Sequence, residues 1–184
     1  MAKVPLRSPS EKVGGLFYFG RMLDKIRQHA KSELPSDYHA NLGKGFDEKC
    51  VKFLRIDYDE LVERVKQGGT DKEILDWCFT VGRKPTEDDI YVWNEFMRKR
   101  GWNDEVSEMV VRRKAEAGMT DRSDIQTSFQ FIDADEGRPP KCGQSRHAAQ
   151  LGDAACRRHL LFLQGIDSFG QIKIKLRQAA FAVR

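Results

Sequence analysis

The feature that most constrains this chain is a series of short apolar stripes, each closed by a helix-stop signal. Leu16, Phe19, Leu23, Ile26 and Ala30 recur at spacings of 3 and 4, which places them on one face of an α-helix. Pro35 bars that helix from continuing. Leu61, Val62 and Val65 run out at Gly68-Gly69. Ile74, Leu75, Cys78 and Phe79 run out at Gly82, and Ile90, Trp93, Phe96 and Met97 at Gly101. Val106, Met109 and Val110 end before Gly118, and Ile125, Phe129 and Ile132 before Gly137 and Pro139-Pro140. Helices this short are marginal alone and must bury their stripes against one another. No convincing strand pattern precedes residue 140. The expectation is an all-α fold: a compact bundle of six or seven short helices over residues 6–138, with a poorly ordered C-terminal extension over 139–184.

Start signals match the stops. Thr70 with Glu73 forms a capping box. Thr86 opens a helix whose first turn holds Asp88 and Asp89, where acids suit the positive end of the dipole. Asp57 and Asp47 are read as N-caps, Asn103 or Asp104 as another, and the last helix is expected from about Ser123. Ser8, Pro9 and Glu11 read as a short first helical turn, interrupted at Gly14-Gly15.

The stretch WNEFMRKRGW, Trp93 to Trp102, sets two tryptophans around three cations. With Gly101 just past the helix end, Arg98, Lys99 and Arg100 fill the last turn and complement the dipole. Trp102 then folds back on Met97 and Phe96 in a Schellman ending. Capping explains the stretch better than a nucleic-acid surface does.

Charge divides the chain in two. Residues 1–136 carry 23 Lys+Arg and 26 Asp+Glu, a net −3, whereas residues 137–184 carry 9 and 2, a net +7. Nucleic acid is therefore an unlikely partner for the body, and contact through the basic extension is the third-ranked function. The extension reads as a basic arm, a docking element, or translation out of frame. Cys50, Cys78, Cys142 and Cys156 form no CxxC pair, which suits a reducing cytoplasm and argues against a zinc site or disulfide framework. The start is too polar for a secretory signal, and no run is long and apolar enough to span a membrane.

Three places hold candidate chemistry. The GKGFD loop, Gly43 to Asp47, brings two glycines and Lys44 to a helix N-terminus, a geometry that binds anions. It lacks the Walker pattern, so a simple connector is the bland alternative. Lys44, Asp47, Arg98 and Arg100 are the candidate ligand-binding residues for a small anionic ligand. Asp133, Asp135 and Glu136 crowd the wrong end of a helix dipole. Pairing with Arg138 or with the Arg98–Arg100 run explains them, and a divalent metal is the alternative, since hard cations take clustered carboxylates. No cofactor is otherwise expected. No GxSxG, HExxH or catalytic cysteine phrase is present. Cys50, Cys78, Trp77, Trp93 and the run Leu16-Phe17-Tyr18-Phe19 read as core, with an exposed patch of Phe17 and Tyr18 for a protein partner as the alternative.

Five phrases in order carry a resemblance: GRMLDKIR (Gly20–Arg27), NLGKGFD (Asn41–Asp47), the segment from Asp57 through DWCFTVGRKP, WNEFMRKRGW, and DIQTSFQFIDADEGR (Asp124–Arg138). They resemble a family catalogued as domain of unknown function 5069, over about residues 6–138. The resemblance implies a small, bacterial, mostly helical domain without an established activity, and supplies no catalytic residues. On this reading a binding or interaction module ranks first. A small enzyme or ligand-binding protein that joins the GKGFD loop, the Arg98–Arg100 run and the carboxylates ranks second. Convergence of those three segments on one pocket would reverse the order.

Overall fold

The computed structural model describes residues 6–139. Seven α-helices and one 3-10 helix lie among them: α1 Phe19–Ala30, the 3-10 helix Ser36–Asn41, α2 Phe46–Leu54, α3 Tyr58–Lys66, α4 Asp71–Val81, α5 Glu87–Lys99, α6 Ser107–Glu116 and α7 Ser128–Asp135. The fold is mostly helical, as the stripes require. From residue 140 on, the expected extension lies outside the described residues.

Local capping chemistry sets the boundaries. Asp57 caps α3 by accepting from the N–H groups of Asp59 and Glu60. Full capping boxes open α4 at Thr70–Glu73, α5 at Thr86–Asp89 and α7 at Thr127–Gln130. A box satisfies two N–H groups that the helix leaves without partners. The seventh helix therefore starts five residues later than expected from Ser123, because Thr127 supplies the stronger cap. Ile125 is buried all the same.

The stripes form one core. Phe19, Met22, Leu23 and Ile26 of α1 pack with Cys50 and Leu54 of α2, Leu61 of α3, Ile74 and Cys78 of α4, Met97 of α5 and Phe129 of α7. Each such aliphatic or aromatic side chain contributes about 1.5–3 kcal/mol by leaving water. Cys50 and Cys78 are buried free thiols, as the apolar stripes imply. Trp93 is buried and Trp77 half-buried.

Three further expectations are corrected. The first turn is not helical: Lys12–Val13 (β1) and Leu16–Phe17 (β2) form an antiparallel hairpin pairing Lys12 with Phe17 and Val13 with Leu16. Gly14 at φ 55° and Gly15 at φ 86° make its two-residue turn, which needs positive φ at both positions. Helix α5 holds the hairpin: Asn94 accepts from Phe17 N–H at 2.9 Å and donates to Gly15 C=O at 2.8 Å, while Trp93 Nε1 donates to Phe17 C=O at 3.2 Å. Tyr18 is buried and Phe17 half-buried against the core, which agrees with the core reading and not with the alternative of an exposed patch.

The end of α5 also differs. Arg100 leaves the helix with ψ 123° to pair with Asp104 at 3.2 Å and Glu105 at 2.7 Å. Trp102 donates its N–H to Lys99 C=O, not to the Met97 carbonyl that a Schellman ending uses. Its side chain is 51% exposed. Finally, Asp47 is not the cap of α2. Gly45 takes that position, and Asp47 turns into the core.

Candidate functional site

Helix α1 carries two stripes. Its apolar stripe builds the core, and Tyr18, Arg21 and Lys25, at spacings of 3 and 4, project from a neighbouring face. All three are at most 4% exposed. They line the floor of a cleft of about 1030 Å³. Tyr18 precedes α1 in the left-handed region, φ 71°, an unfavourable conformation for an aromatic residue costing about 1–3 kcal/mol. It places the phenol beside Lys25 and Asp47. Asp47 Oδ1 accepts from Lys25 Nζ at 2.6 Å and from Tyr18 Oη at 3.0 Å. Lys25 also donates to Tyr18 Oη at 3.0 Å. The second Asp47 oxygen accepts from Gly43 N–H at 3.2 Å. Burial pulls the Lys25 ammonium below its ordinary value against the opposing pull of Asp47. Burial and the Asp47 carboxylate push the Tyr18 phenol up, so it keeps its proton.

The wall opposite is built on Glu136, next to the end of α7. Arg21 grips its two oxygens, one at 2.9 Å. Tyr38, from the 3-10 helix, donates to it at 2.7 Å, and Arg138 also pairs with it. Burial favours the neutral acid, but the Arg21 guanidinium outweighs it and holds Glu136 below the usual carboxylate range. Burial and the Glu136 carboxylate push the Tyr38 phenol up to about 12.

The rim draws on three further segments. Lys44, Gly45, Phe46 and Lys49 come from the start of α2. Arg100 follows α5, and Met109 and Arg113 come from α6. Phe131 and Ile132 of α7 add apolar surface beside Asp135. Six cations (Arg21, Lys25, Lys44, Lys49, Arg100 and Arg113) line the cleft against the carboxylates of Asp37, Asp135 and Glu136. Lys44 and Arg113 are exposed and have no ion-pair partner among the described residues. A cleft edged by unpaired cations concentrates anions.

The expected site residues divide between this cleft and other places. Lys44 and Arg100 line it, and Asp47 lies just behind its floor, wholly buried. Arg98 does not reach it and instead binds Glu95 at 2.5 and 2.6 Å. Of the proposed metal ligands, Asp133 accepts from Ser8 Oγ at 2.8 Å and from Arg138 at 3.1 Å. Glu136 is held by Arg21 and Arg138, and Asp135 stands exposed on the rim. The arginine pairing expected for this acidic turn is present through Arg138. Among the described residues, no three His, Cys, Asp or Glu side chains form a group that could hold a metal ion. Tyr18, Arg21, Lys25 and Arg113 were not anticipated as site residues. The signal for the first three was the polar stripe beside the apolar one on α1.

No described helix is long and apolar enough to cross a membrane. A search of curated proteins finds no match. The family model described as Domain of unknown function (DUF5069) matches residues 3–138, which takes in the cleft, its floor and every cation on its rim. With about three quarters of its length covered by that model, the chain belongs to the DUF5069 family.

Proposed function

We propose that the cleft binds a small anionic molecule with an apolar part, and that this chain is a small ligand-binding protein or enzyme rather than primarily an interaction module. One observation carries the reading. The GKGFD loop, Arg100 and the Asp135–Glu136 turn, separated in sequence, meet on one concave surface where Lys44, Lys49 and Arg113 have no ion-pair partner among the described residues. Its volume of about 1030 Å³ lies just above the usual range of small-molecule sites. Lys44 and Arg113 supply charge for a phosphate or carboxylate, and Phe46, Met109 and Ile132 supply apolar contact. Asp135 is positioned to accept from a ligand hydroxyl or amine. A cytoplasmic setting agrees with the free thiols of Cys50 and Cys78.

Thermal unfolding of the full chain against phosphate, phosphorylated sugars and di- and tricarboxylates tests the proposal. An anion at a hundredfold excess over its Kd stabilises by about 2.7 kcal/mol, which for a chain of this size raises Tm by roughly 5–10 °C. The shift should disappear in Lys44→Glu/Arg113→Glu. A flat response to the whole panel would return the interaction module to first place.

A further inference from the structure

The floor of the cleft holds more than anion binding requires. A cleft that only captured an anion would need cations at its rim, and Lys44, Lys49 and Arg113 are there. Lys25 is different: its amine is withdrawn from water and shares Asp47 Oδ1 with the phenol of Tyr18. A buried ion pair of this kind gains little net stability over an apolar replacement. The left-handed backbone at Tyr18 adds a further conformational cost. The combination of amine, phenol and carboxylate, each hydrogen-bonded to the other two, supplies a nucleophile, a proton donor and a proton acceptor within about 3 Å of one another.

We propose that Lys25 is a carbonyl-reactive amine that forms an iminium with a small anionic aldehyde or ketone held in the cleft, with Tyr18 and Asp47 moving the protons. This rests on the reading of the cleft as an anion site. The Lys25 ammonium passes a proton to Asp47, and the neutral amine adds to the carbonyl carbon, opening the C=O π bond. Tyr18 protonates the resulting alkoxide and recovers a proton from the nitrogen, giving the carbinolamine. Asp47 then returns its proton to the departing hydroxyl, the C–O bond breaks, and the nitrogen lone pair forms C=N. In balance, ammonium and carbonyl give iminium and water, and both proton carriers are restored. The iminium keeps the positive charge that Asp47 neutralises. Burial, which lowers the Lys25 ammonium, favours the free amine needed for attack. The rim cations hold the carboxylate or phosphate of the same molecule.

Reductive trapping decides the matter. The full chain is incubated with glyoxylate or with glycolaldehyde phosphate in cyanoborohydride, and the modified lysines are mapped by peptide mass spectrometry. The expected result is labelling at Lys25 roughly tenfold faster than at exposed lysines such as Lys31 or Lys52, suppressed by excess inorganic phosphate. Lys25→Arg, which keeps the charge facing Asp47, should lose the fast label while the exposed lysines react at the wild-type rate. Labelling of surface lysines with Lys25 untouched, in a protein that still binds phosphate, overturns the iminium and leaves the anion site standing. Failure to bind phosphate or either carbonyl compound overturns both.

Discussion

Lys25 Nζ and Asp47 Oδ1 lie 2.6 Å apart with neither side chain more than 4% exposed. The two residues are 22 positions apart and come from different helices. Their pairing turns Asp47 away from the helix-capping role that its position suggests.

Removing one partner leaves a buried charge uncompensated, which costs about 3–5 kcal/mol. Asp47→Asn should therefore lose stability on that scale in urea denaturation. The double variant Lys25→Met/Asp47→Asn should recover most of the loss, because no charge is stranded and the amide oxygen still accepts a hydrogen bond in place of the carboxylate. A loss below about 1 kcal/mol in Asp47→Asn would mean that the pair is hydrated.

Glu136 gives the fold an acid-sensitive element. Its folded value is lowered from the ordinary 4.5, and its partner Arg21 stays charged throughout. The stabilisation is complete above pH 4.5 and is lost as pH falls through the lowered folded value. Stability of the wild type should drop more steeply between pH 5 and pH 3 than that of Glu136→Gln. Parallel stability–pH curves for the two proteins would contradict the assignment.

Gly82 stands where α4 ends against the turn after α2. A Cβ there would collide with Leu54 C=O and come within 2.6 Å of Ile56 Cγ2. The backbone must move to accept it, since Arg83 N–H also donates to Leu54 C=O at 2.9 Å. Gly82→Ala should destabilise by about 1–3 kcal/mol in chemical denaturation, whereas Gly118→Ala, with open space around it, meets only the cost of its positive φ.

Elements governed by neighbouring residues were legible in the sequence. Thr70–Glu73 and Thr86 announce their helices because capping spans three residues, and the spacing of Leu23 and Ile26 announces the core. The hairpin was hidden because each strand has two residues, too few for alternation to register. Trp102 was misplaced because Asp104 and Glu105 draw Arg100 out of the helix, a competition that the capping rules do not weigh. A site joining Lys44, Arg100 and Glu136 ranked only second, because their convergence depends on how α1, α2 and α7 pack. The Lys25–Asp47–Tyr18 cluster was missed for the same reason. Its members look like ordinary surface, cap and patch residues until the helices bring them together.

Calorimetric titration of inorganic phosphate into the full chain at low salt, beside Lys44→Glu/Arg113→Glu, tests the central claim most directly. A charge-assisted hydrogen bond contributes about 1.5–3 kcal/mol, so the account predicts saturable binding to the wild type and an affinity at least about tenfold weaker in the variant. Equal binding by the two proteins, or none by the wild type, would contradict the assignment of this cleft as an anion site.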